Sequence, residues 1–144
     1  MGRWGKCKLL TVGFGHGIAT TLLQLTKGYS IISNGGFDVS PTLIQKDNYK
    51  KTKRILNKEV SKKINHILRK IVSTKEGTAG FANVKGYDIG GKTGTADIAA
   101  EGGYSKKKIN TFASVFPISN PKFVLVVMLD EPCLLYTSPS PRDG

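Results

Sequence analysis

Lys92-Thr93-Gly94-Thr95 sets an ammonium, two hydroxyls and a bare glycine on four consecutive residues. Groups of that kind can grip an anion or a carbonyl in two unrelated ways. Read with what precedes it, the stretch from Gly86 to Thr93 fits G-x-x-x-x-G-K-T, the loop that wraps nucleotide phosphates in backbone amides. Read forwards, Lys92-Thr93-Gly94 is a K-T-G triplet, in which an extended strand carries a cation and a hydroxyl along one wall of a cleft. A phosphate loop needs a helix springing from its lysine, because the helix N-terminus helps to hold the phosphate. The residues that follow, Ala96-Asp-Ile-Ala-Ala100 and then Glu101-Gly-Gly103, leave no room for an amphipathic helix of ordinary length. The strand reading is therefore the one carried forward. Gly90 and Gly91 mark places where another backbone or a ligand comes close, and Gly94 has no side chain to obstruct that approach.

Something must hold such a strand, and the pattern around it predicts helices on a sheet. From Thr20 the apolar positions Leu22, Leu25, Tyr29 and Ile32 recur at helical steps, with Thr20 or Thr21 as N-cap and Gly35-Gly36 past the end. Gly28 inside that helix hints at close packing. The segment from Phe37 to Asn48 contains Pro41 and has no helical period, so it reads as a connection with one short strand around Thr42–Gln45. A second helix follows, with Leu56, Val60, Ile64, Leu68 and Ile71 on one face and Lys58, Lys62, Lys63, Arg69 and Lys70 mostly away from it. His66 on this helix is read as a surface residue. Beyond Asn110 the period becomes two: Phe112 and Phe116 point one way, Ala113 and Val115 the other. After a turn at Ser119-Asn-Pro121 comes the unbroken run Phe123–Leu129, expected to be a strand buried on both faces. Three successive antiparallel strands covered by helices make an α+β fold.

At 144 residues and 39% hydrophobic composition, the chain forms one globular domain at most. Its net charge of +12 raises nucleic acid or an anionic membrane as partners. The lysines, however, are interleaved with Asn and Ile rather than with aromatics, so no platform for stacking bases exists and no nucleic acid is expected. Cys7 and Cys133 stand in no metal or redox spacing, and neither a metal nor a cofactor is expected. Phe123–Leu129 falls far short of the roughly 20 residues that span a bilayer, and the N-terminus shows no secretory pattern, so this stretch is expected to carry no anchor of its own.

Taken in order, several short strings resemble the C-terminal part of the transpeptidase domain of class B penicillin-binding proteins, most closely the division-type, septal enzymes. They are Val12-Gly-Phe-Gly-His-Gly-Ile18, Ile32-Ser-Asn-Gly-Gly36, Gly77-Thr-Ala79, Gly90-Gly-Lys-Thr-Gly-Thr-Ala96, Gly103-Tyr-Ser105, Ala113-Ser-Val-Phe-Pro117, Asn120-Pro-Lys-Phe-Val124 and Asp130-Glu-Pro132. Where the family has Thr-Pro-Leu-Gln at the first helix, this chain has Thr21-Leu-Leu-Gln24, and a proline at the first helical position is dispensable. His16, between two glycines in the first of these strings, is read as structural.

The resemblance implies an incomplete penicillin-binding/β-lactamase-like transpeptidase fold over residues 1–132, truncated upstream. Residues 133–144 abandon the pattern and are read as a non-native tail. It implies acyl transfer with no cofactor. A serine attacks a D-alanyl-D-alanine stem peptide, D-alanine leaves, and an amine of a neighbouring stem peptide resolves the acyl-enzyme. β-Lactams imitate the first substrate. By position in the motif, Lys92 supplies positive charge and a hydrogen bond, and the Thr93 and Thr95 hydroxyls hold the substrate carboxylate. The Thr95 amide is one of two oxyanion donors, and Gly94 keeps the strand face clear.

The family also needs an S-x-x-K nucleophile and an S-x-N motif. Ser105-Lys-Lys-Lys108 and Ser119-Asn-Pro-Lys122 match S-x-x-K by letter, but both are read as turns downstream of K-T-G and as chance matches; no S-x-N occurs. No nucleophile is therefore assigned within this chain. The resemblance further implies membrane proteins of the division machinery as partners, and a bacterial inner membrane location with a periplasmic catalytic domain. An elongation-type class B enzyme, a β-lactamase-like domain and, from another class, a nucleotide-binding protein using Gly86–Thr93 are the alternatives.

Overall fold

In the computed structural model, residues 10, 12, 13, 15, 18–44, 52–100 and 103–132 are described. Cys7, His16, Cys133 and the whole of 133–144 lie outside them. Two helices, α1 (Leu22–Ser33) and α2 (Lys58–Ser73), precede a short 3-10 turn at Gly80–Ala82 and three strands, β1 (Gly90–Ala100), β2 (Gly103–Phe116) and β3 (Phe123–Asp130). The strands form one antiparallel sheet in the order β1-β2-β3, as the period-two pattern predicts.

Helix α1 starts where its capping residues require. Thr21 is the N-cap: the Gln24 amide donates to its hydroxyl at 3.2 Å, and the Thr21 amide donates to the Gln24 side-chain oxygen at 2.9 Å. That reciprocal box satisfies two of the amides a helix start leaves unpaired, which explains why Leu22 can replace a proline there. The helix stops at Asn34, and Gly35 and Gly36 follow at φ 88° and 89°. A Cβ at Gly36 would also collide with the Leu56 carbonyl.

Helix α2 is capped by Asn57, whose side chain accepts from the Glu59 amide at 2.8 Å. Its inner face is the expected one at Ile64, Leu68 and Ile71 and differs from it elsewhere. Leu56 precedes the cap and Val60 is exposed, while Ser61, Leu68 and Val72 are buried. Ser61 is buried because it serves the end of α1, donating to the Ile32 carbonyl and accepting from the Gly35 amide. Asn65 donates to the Ser33 carbonyl at 3.2 Å. These side chains satisfy carbonyls that a helix C-terminus cannot pair by itself.

Leu68, Val115 and Ile118 form the core, with Tyr29, Ile64, Ile71 and Val124 packed around them. Ala113 and Val115 face the helices; Phe112 and Phe116 face the other way, as expected. Phe116 lies against Phe123 with ring centroids 5.5 Å apart. The expectation of a doubly buried third strand is not met. Phe123 (59%), Leu125 (51%), Val127 (44%) and Leu129 (56%) are exposed, because β3 is an edge strand and the helices cover only one face of the sheet among the described residues. Nor is there a strand at Thr42–Ile44, which bends; Phe37 instead bridges to Arg54, whose guanidinium sits 4.3 Å from the Phe37 ring centroid. Gln45 lies outside the described residues. No helix among those described is long and apolar enough to cross a membrane.

Candidate functional site

Lys92, Thr93, Gly94 and Thr95 all lie within β1, and β1 continues as a strand to Ala100. A helix does not spring from the lysine, so the phosphate-loop geometry is absent. Opposite these residues on β2 stand Ala113, Phe112, Thr111 and Asn110 respectively. The pleat therefore puts Lys92 and Gly94 on the face shared with Ala113, and Thr93 and Thr95 on the face shared with Phe112.

The outer edge of β1 has no partner strand among the described residues. Along it, the Arg69 guanidinium donates to the Ile89 carbonyl at 2.8 Å, and the Lys92 ammonium reaches the Thr93 carbonyl at 2.6 Å. Strand peptide groups alternate in direction, so the Thr95 amide points to the same open edge as the Ile89 and Thr93 carbonyls. An open strand edge is a ready template for a second extended chain.

The glycines before the lysine behave as a strand pattern demands. A Cβ on Gly90 would lie 2.7 Å from Ile118 and 3.2 Å from the Arg69 amide nitrogen; one on Gly91 would lie 2.7 Å from the Phe112 ring. Both permit α2 and Phe112 to close directly on β1. In front of Gly94 the near neighbour is the Thr111 hydroxyl, 2.6 Å from where a Cβ would sit. On the uncovered face the Thr93 and Thr95 side chains border a shallow trough of about 290 Å³, completed by Asn110, Phe112, Val127 and Leu129, with Gly94 and Thr111 forming part of its floor. A wider depression on α2, lined by Lys62, Lys63, His66 and Ile67, is remote from these groups.

Two features escape sequence reasoning. Arg69, read as an outward base, stands 3.6 Å from the Asp88 carboxylate as well as bonding Ile89. Asp88 in turn accepts from the Ser119 amide at 2.9 Å, and its carbonyl accepts from the Ile118 amide at 2.7 Å. Ser119 lowers the Asp88 pKa through its hydroxyl and then its amide, with Arg69 a smaller contributor. This strut ties α2 and the β2–β3 turn to the residues that lead into β1. The second feature is Thr78: the Thr93 hydroxyl donates to the Thr78 hydroxyl at 2.9 Å. Only the Gly77-Thr-Ala79 string marked that place in the sequence.

The two letter matches to S-x-x-K are also placed. Ser119 to Lys122 occupy the turn between β2 and β3, whereas Ser105 to Lys108 lie in β2 rather than in a turn. Neither serine begins a helix.

Comparison with known proteins fits this geometry. The family described as penicillin binding protein transpeptidase domain matches residues 3–142. A probable peptidoglycan D,D-transpeptidase, PenA, of Neisseria flavescens is 34% identical over 133 residues, covering 90% of this chain and 32% of the relative. Among solved structures, the transpeptidase domain of Burkholderia pseudomallei penicillin-binding protein 3 matches with a TM-score of 0.83 at 30% identity, over 90% of this chain and 40% of that one. Penicillin-binding protein 3 of Mycobacterium tuberculosis, complexed with aztreonam, gives 0.80 at 30% identity, over 90% of this chain and 33% of the other. The chain thus spans between 22% and 40% of the length of the relatives and solved structures it matches.

Proposed function

Because the chain belongs to the penicillin-binding protein transpeptidase family and corresponds to the C-terminal part of a class B transpeptidase domain, we propose that its parent is a serine D,D-transpeptidase cross-linking peptidoglycan stem peptides during septal wall synthesis. The observation that carries this reading is the run Lys92–Thr95 on an open strand edge. A stem peptide laid along that edge meets the Thr95 amide as an oxyanion donor, the Lys92 ammonium as the positive charge of the site, and the Thr93 and Thr95 hydroxyls at its carboxylate. The nucleophilic serine comes from the part of the relatives' length that this chain does not span. It attacks the D-alanyl-D-alanine carbonyl, D-alanine departs, and the amine of a neighbouring stem peptide takes the acyl group. β-Lactams acylate the same serine, a reading supported by the aztreonam complex of the mycobacterial relative. The parent works outside the inner membrane, held by an anchor in its remaining length and in company with membrane proteins of division.

Fluorescent penicillin tests the reading. The full-length protein takes a covalent label at a serine outside this chain, and Lys92→Ala slows labelling by about 10²-fold or more. The isolated chain takes none. A label on any residue of the isolated chain, or a full-length protein that ignores penicillin and binds ATP with magnesium, overturns it.

A further inference from the structure

We propose that Thr78 is a positioning residue for the substrate carboxylate, acting through the Thr93 hydroxyl; the inference rests on the transpeptidase reading above. The two hydroxyl oxygens stand 2.9 Å apart although 15 residues separate them in the chain.

Thr78 does not reach Thr93 by accident of a loose loop. The Gly77 amide donates to the Thr74 carbonyl at 3.1 Å, and the Ala79 amide donates to the Ile71 carbonyl at 3.3 Å. Ala79 is buried, and Gly77 lies so close under the Ile71 carbonyl that no Cβ fits there. The turn is thereby clamped to the last turn of α2 through its backbone, on both sides of Thr78. The Thr78 hydroxyl contributes little to that clamp, since both threonine side chains are accessible and their mutual bond replaces bonds to water. A function for the hydroxyl must be sought at the strand.

A hydroxyl has one proton and two acceptor positions. With the site empty, the Thr93 proton goes to Thr78. When an anion arrives, Thr93 turns its proton to the carboxylate and Thr78 donates its own proton into the oxygen that Thr93 has freed. No heavy atom moves; only two O–H bonds rotate. The resulting chain, Thr78 to Thr93 to carboxylate, polarises each bond in the same direction, and a donor that is itself receiving a hydrogen bond is the stronger donor to a charged acceptor. Thr78 thus sets the Thr93 oxygen in place and raises its donor strength without touching the substrate.

The test compares acylation of the full-length protein by a penicillin and by the same penicillin with its carboxylate methylated. Thr78→Val keeps the branched shape and removes the hydroxyl; Thr78→Ser keeps the hydroxyl. The expected result is that Thr78→Val slows acylation by the free acid about tenfold, leaves the ester rate unchanged, and is rescued by Thr78→Ser. Equal slowing of acid and ester, no change with either, or a Thr78→Ser variant as slow as Thr78→Val would overturn the role of Thr78. A wild-type protein acylated by neither compound would overturn the transpeptidase reading itself.

Discussion

A methyl group added at Gly77 meets the Ile71 carbonyl at once, whereas one added at Gly28 meets nothing within 4 Å. Gly77→Ala is therefore expected to lower stability by about 1–3 kcal/mol, since the turn must shift away from α2. Gly28→Ala removes a flexible residue from the interior of a helix and should raise it by about 1 kcal/mol. Thermal unfolding followed by circular dichroism checks both, and a lowered midpoint for Gly28→Ala would contradict the open space beside it. The letters alone do not separate these glycines. Gly28 hints at close packing from its place in a helix and has none, while Gly77 draws notice only within a three-residue string. Lys92, Thr93, Gly94 and Thr95 were legible as strand residues because sterically small positions precede them and no helical period follows. The Thr78 contact was not, because nothing in a sequence announces which hydroxyl will fold back across 15 residues.

At the scale of elements, the strut from Arg69 through Asp88 to Ser119 sets where β1 begins. Ser119, by its hydroxyl first and its amide second, with Arg69 adding less, holds the Asp88 carboxyl below the usual carboxylate range. Folding thus lowers this pKa, so the stabilisation is complete above the unfolded value of about 3.9 and is lost as pH falls through the lower folded value. With the Asp88 side chain 38% exposed, solvent screening keeps the effect modest. In urea titrations, the unfolding midpoint of the wild type should fall more steeply below about pH 4 than that of Asp88→Asn. Identical slopes would show that the strut bears no load. Helix α2 was legible as a helix from Ile64, Leu68 and Ile71, yet its inner face also includes Ser61 and Asn65. A hydrophobic pattern passes over them because they are buried to satisfy the end of α1 rather than to leave water. The run Phe123–Leu129 was legible as a strand but not as an edge, since an apolar run looks the same whether both its faces are covered or one awaits cover.

For the whole molecule, the decisive feature is that awaiting face. Phe123, Leu125, Val127 and Leu129 form a continuous apolar row on β3, beside an unpaired edge among the described residues. Such surfaces associate. The isolated chain should therefore sediment as species larger than a monomer, and Leu125→Lys with Leu129→Lys should shift it toward monomer with an unchanged circular dichroism spectrum. A wild-type chain that stays monomeric at high concentration would show that the row is covered in solution. The sheet also has an interruption in its ladder. Between the pairs Asp97↔Lys108 and Ala99↔Tyr104, β1 advances by two residues and β2 by four. That surplus interrupts the ladder between the far end of the hairpin and Lys92, so a change of pairing beyond Ala99 is absorbed at the bulge before it reaches the pair Lys92↔Ala113. Changes of sequence beyond the bulge are therefore expected to leave Lys92–Thr95 in the same register against Asn110–Ala113.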